Sequence, residues 1–171
     1  MTTISMYQAS VPVLIRGLNN LLAILGKGQA HAAEKQLDPS VLPGSRLFPD
    51  MLPLARQVHI ATDGAKGCAA RLAGVEPPKY DDVEVSFDEL AARIEKTIAY
   101  LKEFKPEQID GSEARPISLK MRSGPVEFTG IQFLTGFVLP NFYFHVTTAY
   151  NILRHNGVEV GKMDYLGKPN S

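Results

Sequence analysis

The stretch Pro140–Gly157, PNFYFHVTTAYNILRHNG, decides the reading of this chain. Proline suits the first position of a helix and glycine the position just past its end, so the segment has both its boundaries. Between them Phe142, Val146, Ala149 and Leu153 recur at steps of four, three and four, which places them on one apolar face. His145 lies at the edge of that face, and Asn141 and Thr148 share its flank. The segment therefore predicts an amphipathic helix with a polar stripe beside its core face. It also carries Phe144, Tyr143, Tyr150 and two of the four histidines.

Three further helices precede it. The first is predicted from about Ser5 to Leu25, with Tyr7, Val11, Leu14, Leu18, Leu21 and Leu25 on one stripe. Pro12 predicts a kink or a late start there. Gly26 and Gly28 predict an interruption, followed by a shorter helical piece from Gln29 to Gln36. The segment from Leu37 to Pro49 reads as a long connection. The second helix is predicted from Asp50, a good N-cap, to Ala73, with Gly74 as its stop. Its apolar side, Met51, Leu54, Val58, Ala61, Ala65, Cys68, Ala69 and Leu72, is rich in small residues, and Gly64 and Gly67 weaken its propensity. That composition predicts a closely packed neighbour. After a proline-containing loop from Val75 to Val85, the third helix opens on a capping box, Ser86 and Glu89, and presents Phe87, Leu90, Ile94, Ile98, Leu101 and Phe104.

Beyond Pro106 the pattern changes. Ile117–Met121 and Val126–Thr129 flank Arg122-Ser123-Gly124-Pro125 and predict a β-hairpin. A short helical turn is predicted over Gly130–Phe137, and a surface tail after Gly157. The sum is an all-α protein, one domain over residues 1–171: a four-helix bundle with a small β-hairpin between its third and fourth helices.

Composition narrows the function classes. Lys and Arg together number 18, as do Asp and Glu, so the net charge is zero and nothing favours nucleic acid or an anionic membrane. No unbroken apolar run approaches the ~18 residues of a transmembrane helix, and no signal-peptide pattern stands at the N-terminus. A single cysteine, Cys68, excludes an intrachain disulfide and reads as an inert buried thiol. These features predict a cytoplasmic protein.

A metal site is the first chemistry to test. His145 and His155 are ten residues apart, about 15 Å along a helix and roughly 80° around it, too far to share an ion. The position one turn beyond His145 is Ala149, which offers no ligand. His59 has Asp63 one turn on, a chelating spacing, but Arg56, His59, Asp63 and Lys66 form one polar stripe opposite the apolar side of their helix. That stripe is expected to face water or to enter a subunit interface. His59, Asp63 and His145 are thus weak metal candidates, and no metal is expected. His155, beside Arg154 near a helix C-terminus, suits the helix dipole. Two readings stand for His145: a buried imidazole bonded to a backbone carbonyl or hydroxyl, or a ligand anchor or general base. Tyr150 likewise either buries its ring with a wetted hydroxyl or orients a ligand. No P-loop, dinucleotide fingerprint, nucleophile elbow or H-E-x-x-H occurs.

SMYQASVP at Ser5–Pro12, FPDMLPLARQV at Phe48–Val58 and the Pro140–Gly157 segment resemble a bacterial family of unknown function related to the DinB/YfiT-like four-helix bundles. The resemblance implies that fold over nearly the whole chain. In the wider superfamily it implies a divalent metal held by a histidine of the second helix and an H-x-x-x-H pair of the fourth, serving a transferase or hydrolase. His59 and His145 match two of those positions and Ala149 breaks the third, which argues against that activity here. Two functions remain. One is a small-molecule-binding protein or enzyme with a pocket lined by Asn141, His145, Thr148 and Tyr150. The other is a non-catalytic structural or interaction protein acting as a homodimer, the dimer suggested by the small-residue second helix.

Overall fold

In the computed structural model, which describes residues 3–121 and 124–168, the apolar stripes assemble four long helices: α1 (Met6–Glu34), α3 (Leu54–Ala73), α4 (Phe87–Lys102) and α7 (Leu139–His155). They close a ring in the order α1, α4, α3, α7, each against two neighbours. Leu14, Leu18, Leu21, Val58, Ala65, Ile94, Phe142 and Ala149 meet at its centre, fully buried. Short helices α2 (Val41–Gly44) and α5 (Pro106–Ile109) lie in the connections, and α8 (Lys162–Leu166) packs on α1. Strands β1 (Pro116–Met121) and β2 (Gly124–Thr129) form the expected antiparallel hairpin, with Ile117 opposite Phe128 and Leu119 opposite Val126. Of its expected turn, Arg122 and Ser123 lie outside the described residues.

Helix α1 departs from the expectation of a broken helix. It begins at a capping box, Ser5 with Gln8, and runs unbroken through Pro12, Gly26 and Gly28. Pro12 is on the exposed face, where water can satisfy the carbonyl its missing N–H leaves free. Gly28 is a contact, not a break: a Cβ there would lie 3.0 Å from both Phe87 and Leu153, so α1 passes close to its neighbours at this point. By length and composition the continuous α1 is apolar enough to cross a membrane, contrary to the reading from unbroken apolar runs. Its apolar residues are those of the bundle core.

Helix α3 starts at Leu54, after Pro53, and not at Asp50, and it ends as expected at left-handed Gly74 (φ 75°), with Val75 N–H returning to the Ala70 carbonyl. The capping box and apolar stripe of α4 are as expected. Residues Gly130–Gln132 form α6, which runs through a π-helical turn, Phe133–Val138, directly into α7. In that wide turn the Leu139 N–H reaches the Leu134 carbonyl five residues back. Pro140 has no N–H to continue the pattern, and the widened turn makes room for its ring. The tail is not merely superficial, because Val158 and Val160 are buried.

Two glycines of α1 predict opposite outcomes. A Cβ at Gly17 would lie 2.5 Å from the buried Phe142 ring, whereas one at Gly26 meets nothing within 4 Å. Gly17→Ala should destabilise the fold by about 1–3 kcal/mol through overpacking. Gly26→Ala should stabilise it by up to ~1 kcal/mol through helix propensity. Urea unfolding of the two variants checks both signs.

Candidate functional site

The polar flank of α7 is divided among different environments. His145 is buried, and its Nδ1 lies 2.7 Å from Oε1 of Gln57 on α3. Gln57 Nε2 donates to the Leu52 carbonyl at 2.8 Å, so its Oε1 must face the ring, and His145 Nδ1 must carry the proton. Burial pushes the His145 pKa down, which keeps the imidazole neutral. The partner is thus a side-chain amide and not the carbonyl or hydroxyl expected. Thr148 is buried and donates to the Phe144 carbonyl at 2.7 Å. The Tyr150 ring packs against Tyr165, with centroids 6.2 Å apart, and its hydroxyl donates to the Val160 carbonyl. Tyr150 lines a cleft of about 180 Å³ beneath α8, whereas Asn141 lines another against α3. The four expected pocket residues therefore do not surround one space.

The polar stripe of α3 is not on a solvated face. The connection 76–85 folds across it and buries His59 and Lys66. From α4, Arg93 enters beneath this strap and uses its whole fork. Nε donates to Thr62 Oγ1 at 2.8 Å, Nη1 to the Asp81 carbonyl at 2.8 Å and to the Glu84 carboxylate, and Nη2 to Asp63 Oδ1 at 2.9 Å and Asp82 Oδ1 at 3.0 Å. Lys66 bonds Asp63 at 2.5 Å, and Arg56 bonds Asp82. The Tyr80 ring covers Lys66, Lys96 and Arg93. His59 Nε2 lies 3.1 Å from Glu84 Oε2 but lacks the direction of a hydrogen bond, which leaves a buried ring nitrogen unsatisfied. Burial, then Arg93, pushes its pKa down against the opposing pull of Asp82 and Glu84. Arg93 is legible in retrospect: it stands three residues after Leu90 and four before Thr97, on the flank of the apolar stripe, and an acidic loop precedes it.

These residues do not fit a divalent ion. The carboxylates near His59 already accept from Arg93, Lys66 and Arg56. His59 faces α4 and the strap, whereas His145 faces Gln57 from α7, and Ala149 is in the core. Among the described residues no three histidine, cysteine or carboxylate side chains converge as metal ligands. Cys68 is fully buried and its pKa is pushed up to about 12 by that burial, which leaves it a thiol.

The cleft at Asn141 has an open polar chemistry. It measures about 220 Å³ and lies between α3, the hairpin and the π-helical turn. Phe133, Phe137, Val138 and Leu119 form its apolar wall, and Ile60 and Gly64 its floor. Phe128 joins Phe133 and Phe137 in one aromatic cluster that ties the hairpin to this wall. Asp63, Arg71 and Asn141 supply the polar groups. The small apolar residues of α3, Ala61, Ala65, Cys68 and Ala69, are fully buried, as a closely packed neighbour requires, whereas Gly64 and Gly67 leave room at the cleft. A Cβ at 64 would meet only the Asn141 amide, at 3.8 Å, and one at 67 only the Arg71 guanidinium. A larger cleft, about 330 Å³ between α1, α7 and α8, has its main polar groups engaged: Arg16 donates to the Leu166 carbonyl and Asn20 to that of Tyr165.

The two buried histidines give the fold a pH dependence of definite sign. Their folded pKa values lie below the unfolded value near 6.5, so the unfolded chain binds more protons in acid. Their contribution is complete above that value and is lost as pH falls through it. Urea unfolding at pH 7.5 and 5.0 should show lower stability at 5.0, and His145→Gln should lessen the difference.

Residues 6–166 match the domain of unknown function DUF1993. The crystal structure of a DinB family member protein from Shewanella denitrificans is similar to this chain with a TM-score of 0.88 and 43% sequence identity, over 96% of this chain and 93% of that one. No curated protein matches the chain. The helical bundle built above and the match across nearly its whole length agree: the chain belongs to the DUF1993 family, a bacterial DinB-like family of unknown function.

Proposed function

We propose that this chain is a small-molecule-binding protein whose site is the cleft between α3, the hairpin and the start of α7. One observation carries the reading. Among the described residues, the Asn141 amide makes no hydrogen bond to protein, and it faces an aromatic wall across a preformed space. Apolar walls with a few placed polar groups are what small-molecule sites have in common. A π-helical turn beside the cleft fits the frequent occurrence of such turns at functional sites. His145, whose Nδ1 is engaged by Gln57, does not line this space, so the reading is binding, with no reaction assigned.

A panel of small acids, amides and amines screened by thermal shift tests it. A ligand at 100 times its Kd stabilises the fold by about 2.7 kcal/mol. Gly64→Leu projects a side chain into the cleft and should abolish the shift while the protein still melts cooperatively. Equal shifts in both proteins would sink the proposal.

The second reading is a homodimer. The small residues of α3 do not support it, because Ala61, Ala65 and Ala69 are fully buried within the chain. Tyr143 and Phe144 do: they stand 40% and 57% exposed on adjacent positions of α7. Light scattering should then report twice the chain mass, and Phe144→Ser should return a monomer.

A further inference from the structure

We infer that the cleft takes a small carboxylic acid, with its carboxylate on Arg71 and its apolar body against Phe133 and Phe137. This rests on the proposed binding cleft and adds the ligand's charge and size. The charged cluster next door is balanced. There Arg56, Lys66 and Arg93 face Asp63, Asp82 and Glu84, three cations against three anions, all in contact. Asp63, the one acid that also lines the cleft, already accepts from both Lys66 and Arg93 through Oδ1. Its charge is therefore offset within the cluster.

Arg71 is different. It lines the same cleft, and among the described residues no carboxylate pairs with it and no hydrogen bond engages its guanidinium. The cleft therefore carries one uncompensated cation. Gly67, one turn earlier on α3, leaves the place where that guanidinium lies: a Cβ there would strike Arg71 Nη1. The missing side chain lets Arg71 lie back along the helix, toward Gly64 and Asn141. A planar guanidinium is matched in shape and charge by a carboxylate, which it can hold with two parallel N–H bonds. The Asn141 amide adds a donor from the facing helix.

Size limits the rest of the ligand. A cavity of about 150 Å³ accommodates one benzene ring. At about 220 Å³ the cleft takes one such ring, or a branched chain of similar bulk, together with a carboxylate. The wall that would receive it is aromatic, with Phe133 and Phe137 near parallel at 6.1 Å between centroids.

Benzoate, benzamide and benzylamine are suitable probes, titrated into isotope-labelled protein and followed by NMR. Benzoate should shift the resonances of Gly64, Phe137 and Asn141 and bind tenfold or more tightly than benzamide. Benzylamine should bind weakest. Arg71→Gln should erase the preference of benzoate over benzamide. Gly67→Ala keeps the charge but displaces the guanidinium. It should raise the melting temperature, because alanine outranks glycine in a helix, and still weaken benzoate severalfold. Loss of binding in a more stable protein cannot come from unfolding. Equal affinity for benzoate and benzamide at the cleft would overturn the carboxylate assignment and leave the small-molecule reading intact. No shift at the cleft with any probe would overturn the assignment, and a failed thermal-shift panel would then remove the reading beneath it.

Discussion

The Arg93 guanidinium is the interaction on which the polar half of this molecule depends. It lies between α3, α4 and the strap that joins them, and its side chain is 1% exposed. A buried charge is tolerable only when its donors are matched, and here they reach a hydroxyl, a backbone carbonyl and three carboxylates. Removing Arg93 would strip Thr62, the Asp81 carbonyl and Glu84 of a buried donor, whereas removing a part-exposed partner such as Asp63 would cost less, because water can take its place. The strap has few apolar side chains to hold it down, since Val83 and Val85 point outward, so its position follows from Arg93 and from Tyr80 lying over the cations. Asp63 is held in turn, and it forms one edge of the cleft.

The apolar half depends on close approach. Phe142 lies where α1 has no side chain at Gly17, and Phe87 and Leu153 where it has none at Gly28. These contacts set the spacing of α1 from α7 and α4. On the other side, α7 is reached through a π-helical turn that swings Phe133 and Phe137 toward the hairpin. The cleft lies where that turn is wide and where α3 has no side chain at Gly64.

What was legible in the sequence follows from this division. The four amphipathic stripes, the Ser86–Glu89 box, the presence of the hairpin and the stop at Gly74 are local features, each determined by a few neighbouring residues, and all are visible in the chain. Gly124 and Pro125, expected in the hairpin's turn, belong instead to β2. The continuity of α1 was not legible, because a glycine facing a partner helix and a glycine ending a helix look alike without the partner. The burial of His59 and Lys66 was hidden for the same reason. A stripe of charges opposite an apolar face ordinarily meets water, and only the complementary acids at Asp81, Asp82 and Glu84, with Tyr80 beside them, announced that the following loop would cover it. At the candidate site, Asn141 was legible from its place on α7. Arg71 was not, since an arginine in the last turn of a helix is the usual complement to the helix dipole. Its distinguishing mark is the glycine one turn earlier.

The cluster at Arg93 also bears on the divalent metal that the superfamily resemblance implied. Carboxylates and an imidazole in one neighbourhood are the raw materials of a cation site, though here no three of them converge among the described residues. In this chain the cation is covalently part of the protein. Arg93 delivers its charge from α4 with N–H donors already aligned on the carboxylate oxygens, and Lys66 and Arg56 complete the neutralisation. A divalent ion entering there would have to displace a guanidinium already bonded to Asp63, Asp82 and Glu84. The same donor set that would invite a metal in isolation is closed by its own helix, and the open polar chemistry of the molecule lies one turn further along α3, at the cleft.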